Sequence, residues 1–192
     1  MLVETLKNNH HSFYIMKIEF EAKILDIDVD KIQNKLKVLG AKRLFDNKFR
    51  RYVYDIEGKK GKEWIRLRDE GNKITLTFKK IEDEEKIEGT KEIEIDVSDF
   101  DNTHKLLEAA GFNHKAYQEN RRIRYVLDGG VVEIVFWPKI PPYLEVEGKS
   151  KKEVEDTVKK LGFDISQTTS VNTDTVYTKY GLDIYKFKEL KF

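Results

Sequence analysis

Cysteine is absent from the 192 residues. That excludes disulfides, thiolate zinc sites and cysteine nucleophiles. No apolar run is long enough to span a membrane, and no signal-peptide core is present. The formal net charge is only +1, so no global field draws in nucleic acid, and an anion site must arise from local clustering. No Gly-rich phosphate loop of the nucleotide-kinase kind and no nucleophile–His–Asp set is evident. The expectation is a cytoplasmic protein with neither a nucleic-acid nor a membrane partner.

Charge itself is plentiful, at 37% of residues against 39% hydrophobic, and it is ordered. Lys17 to Ile24 alternates with period two, a strand period. Glu19, Glu21 and Lys23 share one face; Ile18, Phe20, Ala22 and Ile24 share the other. Trp64 to Arg68, Lys91 to Ile95, Arg122 to Val126 and Leu144 to Glu147 repeat the device, each with paired like charges on one face. A single such strand is usually a solvated sheet face. Repetition suggests instead that the charged faces meet.

Residues 1–15 are expected to form a flexible extension, and 16–192 a single domain. After the first strand, Asp28 or Asp30 can cap a helix carrying Ile32, Leu36 and Leu39 and stopped by Gly40. Phe45 to Asp55 reads as an irregular strand or connection, Gly58 to Lys62 as a flexible turn, and Glu70-Gly71-Asn72 as a hairpin turn. Glu82 to Glu88 reads as a mobile charged loop. Asp101 or Asn102 precedes a second helix, through Leu106 and Leu107 to Gly111, and Asp128-Gly129-Gly130 turns a second hairpin. Ser150 with Glu153 makes a capping box for a third helix, stopped by Gly162. Tyr177, Tyr180, Tyr185 and Phe187 are available to pack back onto the domain, and His104 and His114 are expected at the surface. Three times the chain runs Glu-x-Glu strand, polar cap, amphipathic helix, Gly. The implied fold is α+β, an antiparallel eight-stranded β-barrel with helices covering its apolar outside.

The charged faces sum to two sets. Glu19, Glu21, Glu92, Glu94, Glu133, Glu145 and Glu147 are acidic; Lys23, Arg66, Arg68, Lys79, Arg122 and Arg124 are basic. Arginines grip phosphate oxygens, and paired carboxylates bind Mg²⁺ or Mn²⁺, which also bridge phosphates. Both sets in one lumen suggest metal–phosphate chemistry.

Glu19-Phe20-Glu21-Ala22-Lys23 resembles the Glu-x-Glu-x-Lys signature of the CYTH superfamily, the triphosphate tunnel metalloenzymes. The resemblance continues in order through Arg66–Arg68, Thr77–Lys79, Glu92–Glu94, Arg122–Arg124 and Glu145–Glu147, covering about Met16 to Gly162. It implies a tunnel, a small-molecule triphosphate substrate and Mg²⁺ or Mn²⁺, with a homodimer left open. It implies that Lys23, Arg66, Arg68, Lys79, Arg122 and Arg124 hold phosphates. Glu19, Glu21, Glu145 and Glu147 would bind metal, and Glu92 and Glu94 would orient the basic residues or the attacking water, with Lys79 beside them as catalytic residues. Family members often carry an aspartate where this chain has Val135; Glu133, two residues earlier on the same face, is the expected substitute. The implied activity is triphosphate hydrolysis. The class IV adenylate cyclase reaction and catalytically weak triphosphate binding are the alternatives.

Overall fold

Alternation of charged and apolar side chains is what closes this chain into a barrel. The structure is a computed structural model and describes residues 16–59 and 62–192. The expected extension, 1–15, and the middle of the Gly58–Lys62 turn lie outside the described residues. The strands are β1 (Lys17–Ile24), β2 (Lys42–Asp55), β3 (Glu63–Asp69), β4 (Ile74–Ile81), β5 (Thr90–Val97), β6 (His114–Leu127), β7 (Gly130–Phe136), β8 (Tyr143–Gly148) and a short β9 (Glu189–Leu190). The helices are α1 (Val29–Val38), α2 (Phe100–Ala109), α3 (Lys151–Leu161) and α4 (Thr173–Lys179). Strands hydrogen-bond in the order β2-β3-β4-β5-β1-β8-β7-β6, and β2 pairs with β6 to close the ring. Every pairing in the ring is antiparallel; β9 adds to β6 in parallel.

The stretch expected as an irregular strand or a connection, Phe45 to Asp55, belongs to a 14-residue strand paired along both edges. Its mixed charges hide the alternation, and pairing with β3 and β6 overrides that weak local signal. Register shifts at Arg43/Phe45 and Val53/Tyr54 mark its bulges. Asp128-Gly129 forms the expected hairpin turn, both residues with positive φ (52° and 95°), which matches the twist of the strands it joins.

Helices cover the outside, as expected. Leu36 of α1 and Val154 and Val158 of α3 are buried with Ala22, Val132, Leu144 and Val146 of the strands. On the opposite flank, Phe100 of α2 packs with Tyr54 and Leu67. Leu107 joins that cluster, whereas Leu106 is exposed. Asp28 caps α1. The cap of α2 is Asp99, not Asp101 or Asn102; Asp99 accepts the Asn102 N–H at 2.8 Å. Asp101 lies in the first turn, where its charge suits the helix dipole. Ser150 caps α3 by accepting from the Glu153 N–H at 3.3 Å, but Glu153 reaches back to the Lys149 N–H at 2.7 Å, so the expected box is shifted by one residue.

Two segments complete β1, which pairs with β5 only from Lys17 to Glu19. Beyond that point its edge would bury unpaired backbone groups. The Ile87 carbonyl accepts the Glu21 N–H at 3.1 Å, and Thr169 exchanges two bonds with Lys23 at 2.7 and 2.9 Å. The Glu82–Glu88 segment is therefore docked, with Ile87 buried, rather than a free charged loop. Val176, Tyr177, Ile184 and Leu190 close one end of the barrel against Val135, Trp137 and Tyr143. Tyr180, Tyr185 and Phe187 pack against this cluster, as expected. Tyr177 donates to the Pro138 carbonyl at 2.6 Å. Among the described residues, no helix is long and apolar enough to cross a membrane.

Gly89 makes the docked segment testable. A Cβ there would meet the Asp83 carbonyl oxygen at 1.6 Å, a backbone atom that cannot swing aside. Gly89→Ala is expected to destabilise the protein by about 1–3 kcal/mol, the usual cost of overpacking, read from denaturant unfolding at constant slope. An unchanged midpoint would show that this turn does not brace β1.

Candidate active site

The inward faces of the strands carry the charges. Lys23, Arg66, Arg68, Lys79, Glu92, Arg122, Glu133 and Glu145 are all buried. Solvated sheet faces do not bury lysine, arginine and glutamate together. Inside the barrel these faces border a cavity of about 280 Å³ with mainly charged walls. Parity explains the convergence. Strand register sets Lys23 opposite Glu145, Glu21 opposite Glu147, and Glu133 opposite Glu145. Arg122 and Arg124 lie opposite Val135 and Glu133.

One wall is acidic. Glu133, Glu145 and Glu147 each place a carboxylate oxygen within 4.8 Å of the others. Arg122 bridges two of them, donating to Glu133 and, at 2.6 Å, to Glu145. Arg124 donates to Glu133 at 2.5 Å. Lys23 donates to Glu21 at 2.6 Å and lies 3.6 Å from Glu145. Burial alone would raise the Glu145 carboxyl, but Arg122 and Lys23 override it and hold it at about 2. Glu133 is also lowered, its burial outweighed by Arg122 and Arg124. Glu147 goes the other way: burial, then repulsion from Glu133, Glu145 and Glu21, pushes it up to about 7. Three carboxylates with an uncompensated charge and no sulfur or imidazole among them form a hard-oxygen donor set. That set fits Mg²⁺ or Mn²⁺.

Val135 contributes no ligand. It is buried in the apolar plug with Trp137 and Tyr143. Glu133, two residues earlier, stands beside Glu145 and Glu147 instead. Glu19 lies apart from this group. Lys79 donates to both its oxygens at 2.6 and 2.8 Å and lies 3.6 Å from Glu92. Burial raises Glu19, yet Lys79 outweighs it and brings the carboxyl down to about 2. Burial raises Glu92, and Glu19 adds to this against the pull of Lys79. Glu94 accepts from Thr77 at 2.9 Å and sits 3.6 Å from Arg66.

The opposing wall is basic and underpaired. The Nε atoms of Arg66 and Arg68 are buried with no hydrogen-bond partner among the described residues. Arg68 leans on Glu70, a buried carboxylate that the sequence presents as a turn residue. Arg51 also reaches this cavity. It donates to Gln118 at 2.9 Å and lies 4.5 Å over the Trp137 ring, with no carboxylate pairing it among the described residues. Burial first, then the neighbouring Arg66, brings both Arg51 and Arg68 down to about 10. Arg51 was not legible as a site residue because Arg50, on the opposite face, carries the same charge. The one available signal was its parity with Phe49 and Val53, both buried.

Residues 18–175 match the CYTH domain. No curated protein matches the chain significantly. Among solved structures, a protein from Pyrococcus horikoshii OT3 is similar with a TM-score of 0.69 at 23% identity, covering 81% of this chain and 96% of that one. A candidate adenylate cyclase from Vibrio parahaemolyticus gives 0.71 at 12% identity, over 84% of this chain and 98% of that one. A candidate adenylyl cyclase from Hippeastrum, described as having a dominant triphosphatase activity, gives 0.55 at 15% identity, over 90% and 100%. At these identities the likeness is one of fold.

The guanidinium of Arg51, which no carboxylate pairs among the described residues, yields a prediction. Arg51→Ala is expected to weaken binding of inorganic triphosphate about tenfold or more, since a hydrogen bond to a charged group contributes roughly 1.5–3 kcal/mol. Calorimetric titration of the folded variant measures it. Equal affinity would remove Arg51 from the anion site.

Proposed function

The chain belongs to the CYTH domain family, and from that premise we propose that it is a metal-dependent hydrolase of triphosphates. The observation that carries this reading is the division of one cavity into two unsatisfied halves. The buried Nε atoms of Arg66 and Arg68 lack acceptors among the described residues on one wall, and repelling carboxylates crowd the other. A phosphate chain with a divalent cation satisfies both at once. Neither a bare cation nor a bare anion does so.

In this reading Arg51, Arg66 and Arg68 grip the phosphate chain, with Lys79 as a point charge. Arg122 and Arg124, now held by Glu133, anchor the carboxylate wall and offer their remaining N–H groups. Glu133, Glu145 and Glu147 would hold the cation, with Glu21 alongside. Bound there, Mg²⁺ or Mn²⁺ would neutralise charge developing on the phosphoryl oxygens. A water attacks the terminal phosphorus in line, its oxygen bonding to phosphorus as the bridging P–O bond breaks. Glu92, with its raised carboxyl beside Lys79, takes the proton, and Glu94 steadies Arg66. Positioning and preorganised charge supply most of the rate. The charged walls suit phosphates better than a nucleobase, which favours hydrolysis over cyclisation.

The deciding assay offers inorganic triphosphate, ATP and thiamine triphosphate, each with Mg²⁺ or Mn²⁺. Orthophosphate is the expected product. Cyclic AMP from ATP would instead mean cyclisation, and binding without product would mean a non-catalytic receptor. Glu147→Gln and Arg68→Ala are each expected to lower kcat/KM by about 100-fold or more, the usual scale for losing one preorganised charge. Undiminished turnover in both would overturn the assignment.

A further inference from the structure

We propose that His104, Glu108 and His114 form a second metal site, on the outside of the barrel, suited to zinc or a similar borderline cation. His104 and Glu108 are four residues apart on α2 and so share one helix face. His114 opens β6, just beyond the turn that ends the helix. The fold brings one ligand atom of each within 4.8 Å of the others. His114 Nδ1 lies 2.7 Å from one Glu108 oxygen, and His104 Nε2 lies 3.5 Å from the other.

The site is supported from behind. The Tyr52 ring lies flat on the His104 imidazole, 3.8 Å between centroids and 7° from parallel. The buried Tyr54 hydroxyl is 2.8 Å from His104 Nδ1. With its proton on Nδ1, His104 donates to that hydroxyl oxygen and turns the Nε2 lone pair toward Glu108. Metal-binding histidines are commonly held by such an outer partner. Asp101 and Glu108 both bear on this ring, so the local field suits a cation. Arg50, the nearby positive charge, is paired with Asp69 and Asp101.

Donor chemistry separates this site from the tunnel. Two imidazoles and one carboxylate suit zinc, cobalt or nickel, whereas the all-carboxylate tunnel set suits magnesium or manganese. Three protein ligands leave a fourth position for water, and the exposure of Glu108 and His114 gives access. A bound ion would tie the end of α2 to the start of β6.

Zinc titrated calorimetrically into the full chain, with excess Mg²⁺ present, tests this. One equivalent is expected to bind with a Kd of about 1 μM or tighter, and Co²⁺ is expected to give the visible absorption of a nitrogen-ligated, low-coordinate ion. His114→Ala and Glu108→Gln, at exposed positions where folding is undisturbed, are each expected to weaken zinc about tenfold or more and abolish the cobalt band. Glu147→Gln, in the tunnel, is expected to leave both unchanged. Absence of zinc binding, or binding that responds to Glu147→Gln and not to the other two, would overturn the proposal.

Discussion

Repulsion between like charges, enforced by a closed wall, is the constraint on which this structure depends. Burial, and then the neighbouring Arg66, depress the affinity of Arg51 and Arg68 for protons, while burial and then Glu133, Glu145 and Glu21 raise that of Glu147. On an open sheet these groups would turn to water and the conflict would vanish. Here the ring from β2 to β6 has no free edge through which they can escape. Internal pairs such as Lys79 with Glu19 and Arg122 with Glu145 offset part of the burial cost. The remainder is a charge conflict that, in the proposed reading, a ligand of mixed charge would satisfy.

The outer shell makes that conflict tolerable. Apolar faces of β1, β7 and β8 are sealed by α1 and α3, and those of β2 and β3 by α2. Aromatic side chains from the last part of the chain seal one end. The outward alternate residues thus supply the hydrophobic stabilisation, and the inward ones are free to be chosen for chemistry. A one-residue slip of any strand would exchange the two sets, so packing of the helices also guards the site's register.

Much of this was legible along the chain. Every paired-charge strand face lies inside the barrel, because period-two alternation leaves a strand no other way to bury its apolar side. Misreadings cluster where local chemistry was ambiguous. Asp99, Asp101 and Asn102 are all good caps, and only the path of the chain selects Asp99. The Glu82–Glu88 segment is too charged to suggest docking, yet unpaired β1 backbone recruits it. Glu70 and Arg51 were hidden, one in a turn and the other beside a like-charged neighbour on the opposite face. His104 and His114, ten residues apart and bland as sequence, meet because the α2–β6 connection folds back on itself.

By itself the sequence determined the strand period, the identity of the inward and outward faces, and the helices that cover the latter. Those properties follow from side-chain chemistry at fixed spacing. Which charges face each other was decided only by closure: Glu133 beside Glu147, Lys79 on Glu19, and Arg51 across from Arg68 with no acid pairing it among the described residues. Contacts between strands far apart in the chain depend on the ring's register, and no local pattern carries that information.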